Sequence, residues 1–212
     1  MNKTEVMEWI KRTKLVPVVR ATSPEEAMTA ISALAAGGVD VVEITMTVPG
    51  AIDVIRQVSD AMGDRVLVGA GTVLDPETAD ACIAAGAKFI VSPSLNLETV
   101  RHCVAKQVFV APGCLTPTEV HAGWSAGADV IKIFPADAVG GPSYIKNLRG
   151  PFPSVQFMPT GGVSLSTIKD FLAAGAVAVG VGSNLVDLKL LREQGPDALS
   201  ALAAEFVKAA QN

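Results

Sequence analysis

Lys132 lies in the run Ala128-Asp129-Val130-Ile131-Lys132-Ile133-Phe134-Pro135, which is otherwise apolar and β-branched enough to read as a buried strand. A desolvated ammonium is costly, so burial favours the neutral amine. A neutral amine at neutral pH is a nucleophile toward carbonyl carbon, the chemistry of Schiff-base enzymes. A strand lysine can also snorkel to the rim or pair with a carboxylate. Glu43, in Val41-Val42-Glu43-Ile44-Thr45, is that carboxylate. Side chains alternate along a strand, so Val41, Glu43 and Thr45 share one face, and Val130, Lys132 and Phe134 share another. If the β-branched alternates pack on helices, Glu43 and Lys132 both point inward and each compensates the other's desolvation. An interior ion pair would satisfy the same pattern. The surroundings of the pair decide between the two readings.

Two glycine-rich turns supply those surroundings. Thr160-Gly161-Gly162-Val163 and Gly180-Val181-Gly182-Ser183 each follow an apolar run. Glycines let backbone N–H groups converge on an anion, and a helix N-terminus behind them would add a favourable dipole. Glycines also simply permit tight turns. Two such turns at neighbouring strand ends point to a phosphate.

The elements that carry these residues alternate. Strands are expected at Leu15–Arg20, Val39–Ile44, Val66–Ala70, Lys88–Ser92, Val108–Pro112, Asp129–Phe134, Val155–Pro159 and Val177–Val181. Their spacing of roughly 23 residues suits a strand followed by a crossover helix. Helices fill the gaps. Pro24–Gly37 starts behind Ser23, with Glu26 placed for a capping box. Asp75–Gly86, Thr116–Gly127 and Ser166–Gly175 have the same start and stop residues. The pattern predicts an α/β protein, one (β/α)8 TIM barrel over residues 1–212, flanked by an N-terminal helix, Thr4–Arg12, and a C-terminal helix, Asp197–Gln211. An open doubly wound sheet would be expected to have a glycine-rich turn after its first strand, and Arg20-Ala21-Thr22-Ser23 has none. Barrel active sites lie at the C-terminal strand ends, where Arg20, Glu43, Thr45, Thr72, Pro93, Lys132, Phe134 and Thr160 collect.

Composition excludes several classes. The net charge is −4 with no block of like charge, so nucleic-acid binding has no electrostatic footprint. Met1–Lys14 is polar and charged, and is expected to be neither signal peptide nor membrane anchor. Cys82, Cys103 and Cys114 have no CxxC spacing and look like reduced cytoplasmic thiols, with Cys114 a packing residue. His102 and His121 read as surface histidines, and no metal site is legible.

With these residues assembled, the chain closely resembles the 2-keto-3-deoxy-6-phosphogluconate (KDPG) and 4-hydroxy-2-oxoglutarate aldolases. The matching stretches are Val-Glu-Ile-Thr (42–45), Gly-Ala-Gly-Thr-Val-Leu (69–74), Phe-Ile-Val-Ser-Pro (89–93) and Pro-Gly-Cys-Leu-Thr-Pro-Thr-Glu (112–119). Ile-Lys-Ile-Phe-Pro-Ala (131–136), Gly-Pro-Phe-Pro (150–153) and Pro-Thr-Gly-Gly-Val (159–163) continue in family order. The resemblance runs from about Lys14 to Val186. It implies a class I aldolase with no metal and no cofactor, cleaving a 2-keto acid sugar phosphate. Lys132 matches the Schiff-base lysine and Glu43 the general acid/base. Thr72 matches a contact to the pyruvate portion, which Pro93 and Phe134 flank. Gly161, Gly162, Gly182 and Ser183 match the phosphate loops. The resemblance also implies a cytoplasmic homotrimer.

One position departs from the pattern. Many members have an arginine two residues after the threonine of the Glu-x-Thr strand, and here that residue is Thr47. Arg20 matches an arginine of other members and is expected to bind the substrate carboxylate instead. Thr160 is expected to meet substrate hydroxyls and to favour the gluconate over the galactonate series. Three other readings stand beside this one: 4-hydroxy-2-oxoglutarate or the galactonate epimer as substrate, a phosphate-binding isomerase or epimerase, and a catalytically silent trimeric barrel serving as an assembly scaffold.

Overall fold

The computed structural model describes residues 1–211. The β-branched runs form β1 (Leu15–Val19), β2 (Val41–Thr45), β3 (Leu67–Gly71), β4 (Phe89–Val91), β5 (Phe109–Ala111), β6 (Gly113–Cys114), β7 (Ile131–Ile133), β8 (Phe157–Pro159) and β9 (Val179–Val181). All pair in parallel, in one sheet of order β5-β4-β3-β2-β1-β9 and another of order β6-β7-β8. A parallel bridge from Thr160 to Gly180 joins the end of β8 to β9. The protein is a parallel α/β fold in which every expected strand is present, most of them shorter than the sequence pattern suggested. The expected strand over 108–112 is observed as β5 and stops at Pro112, and the chain resumes pairing beyond it as β6. Proline has no N–H to give a ladder, although its carbonyl still accepts from the Lys132 amide at 3.0 Å.

Alternation along the strands separates two apolar clusters. Leu15, Val19, Val42, Ile44, Ile131, Ile133 and Val179 face the helices. Val16, Val41, Leu67, Phe89, Phe109, Val130 and Met158 point to the opposite face, where they meet Val6 and Ile10 of α1 (Lys3–Thr13). Fully burying an aliphatic side chain of this size contributes roughly 1.5–3 kcal/mol. Charge then fixes where α1 sits. Lys3 pairs with Asp129 at 2.9 Å, Arg12 pairs with Asp40 at 2.7 Å, and the Thr13 hydroxyl donates to Asp40. Asp40 and Asp129 stand just before β2 and β7, so α1 covers the N-terminal strand ends and leaves the C-terminal ends free.

The other helices are α2 (Pro24–Ala36), α3 (Ala51–Met62), α4 (Pro76–Ala84), α5 (Leu97–Ala105), α6 (Pro117–Ser125), α7 (Pro142–Arg149), α8 (Ile168–Ala173), α9 (Leu188–Gln194) and α10 (Pro196–Gln211). Ser23 caps α2 by accepting from the Glu26 amide, but the box is not reciprocal. The Glu26 carboxylate reaches instead to the Thr22 amide and hydroxyl and to Arg192. α8 begins later than its sequence pattern predicted. The Thr167 hydroxyl accepts from the Ser164 amide and donates to the Gly162 carbonyl, which holds 164–167 in a side-chain-bonded turn. Among the described residues no helix is long and apolar enough to cross a membrane.

Candidate active site

Glu43 is the middle residue of β2 and Lys132 the middle residue of β7. They are 1% and 2% exposed, and Lys132 Nζ lies 3.6 Å from Glu43 Oε1. That separation makes an ion pair and is too long for a hydrogen bond. Neither Glu43 oxygen has a hydrogen-bond partner. A buried carboxylate left without donors retains its full accepting capacity for a ligand.

Glycines make the room. A Cβ on Gly71 of β3 would overlap the Glu43 carboxylate, and one on Gly69 would overlap the Phe89 ring. Gly113 pairs with Lys132 in register, and a Cβ there would run into the Pro93 main chain. Gly113 therefore lets Pro93 approach the lysine's row. This contact was not visible in the sequence, where Gly113 was one residue of a motif with no assigned task. Its signal is a glycine inside a strand, which marks close approach of another backbone.

Beside the pair, the Thr45 hydroxyl donates to the Val19 carbonyl at 3.0 Å and so accepts from Thr47 at 2.6 Å. Thr72, directly after β3, holds φ +58. A β-branched residue rarely takes this left-handed conformation.

Phe134 connects two parts of the site. Its ring centroid is 5.5 Å from Lys132 Nζ, and it also lines a cavity of about 130 Å³. Arg20, Thr160, Gly161, Gly162, Gly182 and Ser183 line the same cavity, together with Val163, Gly180 and Asn184. Gly161 and Gly162 have φ +104 and +70, and the Asn184 side-chain Nδ2 donates to the Val163 carbonyl at 2.8 Å, tying the two turns together. Because α8 starts only at Ile168, the cavity offers these turns' own amides and not a helix terminus. Thr160 is buried, its hydroxyl unpartnered, against Gly180. Asp137 packs against the Gly161–Gly162 turn without lining the cavity.

The remaining polar residues fall outside the site. Cys114 pairs in register with Ile133 on the helix side, and burial pushes its thiol up to about 12. His102 joins Asp80 at 2.8 Å, linking α5 to α4. Larger grooves between α2 and α10, lined by Met28, Ala33, Ala36, Pro196 and Ser200, hold no buried titratable group.

The protein is an α/β enzyme of the aldolase kind, with a buried amine–carboxylate pair midway along its parallel strands and a glycine-walled cavity beside it. The chain belongs to the KDPG and KHG aldolase family, whose pattern it matches over residues 6–202. It is 37% identical over 204 residues to the 2-dehydro-3-deoxy-6-phosphogalactonate aldolase of Escherichia coli, covering 96% of this chain and 97% of that one. It is 36% identical to the 2-dehydro-3-deoxy-phosphogluconate aldolase of Dickeya dadantii, covering 98% and 97%. Among solved structures, the KDPG aldolase of Legionella pneumophila, with pyruvate captured as a covalent carbinolamine, superposes with a TM-score of 0.86 at 30% identity, covering 93% and 96%.

Proposed function

We propose that the protein is a class I aldolase that cleaves 2-dehydro-3-deoxy-6-phosphogluconate to pyruvate and glyceraldehyde 3-phosphate. The observation that carries the reading is the buried Lys132–Glu43 pair at 3.6 Å. The amine of Lys132 attacks the C2 ketone, and loss of water from the carbinolamine gives a protonated imine. The imine accepts the electron pair of the breaking C3–C4 bond while Glu43, directly or through a water, takes the proton of the C4 hydroxyl. Glyceraldehyde 3-phosphate leaves. Protonation of the enamine at C3 and hydrolysis of the imine then release pyruvate and free Lys132. Thr45 and Thr72 meet the pyruvate portion between Pro93 and Phe134. Gly161, Gly162, Gly182 and Ser183 hold the phosphate, and Thr160 meets the hydroxyls between the two ends.

This reading includes a closed (β/α)8 barrel forming one domain. The Thr160–Gly180 bridge supports closure at one seam. Chain continuity from β5 through Pro112 to β6 supports it at the other. A cytoplasmic homotrimer also belongs to the reading, and its mass in solution tests the trimer.

Borohydride reduction in the presence of pyruvate, followed by peptide mass spectrometry, is the direct test. A pyruvate-derived adduct on Lys132 is expected, and a folded protein without one excludes the mechanism. The galactonate epimer is the second reading, because the E. coli relative at 37% identity is named for it. Cleavage rates on the two epimers and on 4-hydroxy-2-oxoglutarate choose between them, and Thr160 favours the gluconate.

A further inference from the structure

Thr160, the residue after β8, bridges to Gly180, the middle residue of β9, and both line the cavity beside Phe134. Val179 and Val181 face the helices, so position 180 points the opposite way, into the interior of the fold. Gly180 does not have positive φ, so its backbone does not call for glycine. Space does. A Cβ on Gly180 would overlap the Thr160 hydroxyl. We propose that Gly180 is a positioning residue for substrate stereochemistry: the side chain it lacks leaves a slot that holds the Thr160 hydroxyl at the cavity wall, where it reads the configuration at C4. The proposal rests on the aldolase reading for the identity of the substrate and deepens it.

Three observations support it. Thr160 is 4% exposed and its hydroxyl has no hydrogen-bond partner, so both its donor and its acceptor capacity are kept for a ligand. Neither backbone can retreat from a new methyl group. The Thr160 amide donates to the Ile133 carbonyl and its carbonyl accepts from the Ala136 amide, both at 2.9 Å, while Gly180 is paired in register with Val16 of β1. Relief at position 180 must therefore come from turning Thr160 about χ1, which carries the hydroxyl elsewhere. Finally, Thr160 directly precedes the Gly161–Gly162 turn and shares the cavity wall with Phe134, whose ring centroid is 5.5 Å from Lys132 Nζ. A substrate with its ketone at Lys132 and its phosphate at the turn brings its middle carbons past this hydroxyl. The gluconate and galactonate substrates differ in the direction of the C4 hydroxyl. A fixed partner there pairs with one epimer and leaves the other unpaired.

The test is aldol addition of pyruvate to D-glyceraldehyde 3-phosphate by wild type, Gly180→Ala, Thr160→Ala and the double variant, read as the initial ratio of the two epimeric products. Gly180→Ala and Thr160→Ala are each expected to bring the wild-type preference roughly tenfold closer to parity. The double variant is expected to match Thr160→Ala, because with no γ atoms at position 160 the methyl group at 180 displaces nothing. A Gly180→Ala ratio equal to that of wild type overturns the proposal, as does a double variant shifted well beyond Thr160→Ala. A thermal melt of each variant separates lost selectivity from lost fold. If Gly180→Ala alone does not fold, Thr160→Ala still decides: an unchanged ratio removes the hydroxyl from recognition and overturns the proposal. A double variant that regains the fold with the Thr160→Ala ratio supports it. Failure of wild type to trap pyruvate on Lys132 would instead count against the aldolase reading alone.

Discussion

The Glu43 carboxylate occupies the space that a side chain on Gly71 would fill, two strand positions along the neighbouring β3. The acid is therefore held in place by a missing methyl group as well as by its charge partner. Gly71→Ala should push the carboxylate off Lys132, because β3 is flanked on both sides and cannot retreat. The expected result is a loss of kcat on the order of 10²–10⁴, with an overpacking cost of about 1–3 kcal/mol. Steady-state cleavage and thermal unfolding measured on the same preparation check both numbers. Unchanged kcat would mean that Glu43 is not the proton carrier.

Glu43 and Lys132 compensate each other's burial, so removing either one alone strands the other. Glu43→Gln leaves a buried amine with no counter-charge, and Lys132→Met leaves a buried carboxylate with none. Breaking a buried pair on one side costs about 3–5 kcal/mol, whereas replacing both partners is far cheaper. The double variant is expected to unfold at higher denaturant concentration than Lys132→Met, while being equally inactive. Denaturant midpoints across the four-member cycle measure the coupling, and strict additivity would refute it.

The pair is legible in the sequence because a strand has period two. Glu43 and Lys132 fall on the phase opposite to Val42, Ile44, Ile131 and Ile133, and that phase points away from the helices. The Gly161–Gly162 and Gly182 turns were legible for a related reason, since each ends an apolar run. What escaped the sequence depends on contacts between distant segments. Asp40 and Asp129 look like stray polar residues at strand starts, yet they anchor α1 through Arg12 and Lys3. Gly113 has no local reason to be glycine until Pro93 is seen against it. That Arg20 lines the cavity beside Gly182 depends on β1 having β9 and β2 as its two neighbours, which is a property of strand order. The expected capping box at Ser23 is not reciprocal because the Glu26 carboxylate is taken by the Thr22 amide and hydroxyl and by Arg192, far along the chain.

A reciprocal box does form at α6. Glu119 accepts from the Thr116 amide at 2.7 Å, the Leu115 amide at 2.9 Å and the Thr116 hydroxyl at 2.9 Å. The Thr116 and Leu115 amides hold its carboxyl below the usual carboxylate range. A depressed folded value means stability that is fully present above the unfolded value, roughly 4.3, and lost as pH falls through the folded one. Glu119→Gln keeps the shape and removes the charge. Wild type should exceed this variant by about 1 kcal/mol at pH 7, and the gap should close as the solution is taken well below pH 4. Thermal melts at the two pH values check this, and a gap independent of pH would assign the effect to packing.

Thr72 holds left-handed backbone at the end of β3, next to the glycine that accommodates Glu43. For a β-branched residue this conformation costs on the order of 1–3 kcal/mol, and it persists only where the surroundings impose it. The Gly71 carbonyl accepts from the Met46 amide at 2.8 Å, and the Val73 amide donates to the Val91 carbonyl at 3.2 Å, so the backbone is pinned on both sides of Thr72. Thr72→Gly removes the strain and the hydroxyl together. If the hydroxyl meets the pyruvate portion of the substrate, the variant should melt about 2–4 °C higher and lose roughly tenfold in kcat/KM. Thr72→Asn, which also tolerates this conformation, should recover the stability and, with a polar group in place, part of the activity. Calorimetry and steady-state kinetics on both variants separate the two effects. A Thr72→Gly variant that melts lower than wild type would show that the left-handed backbone there is not strained.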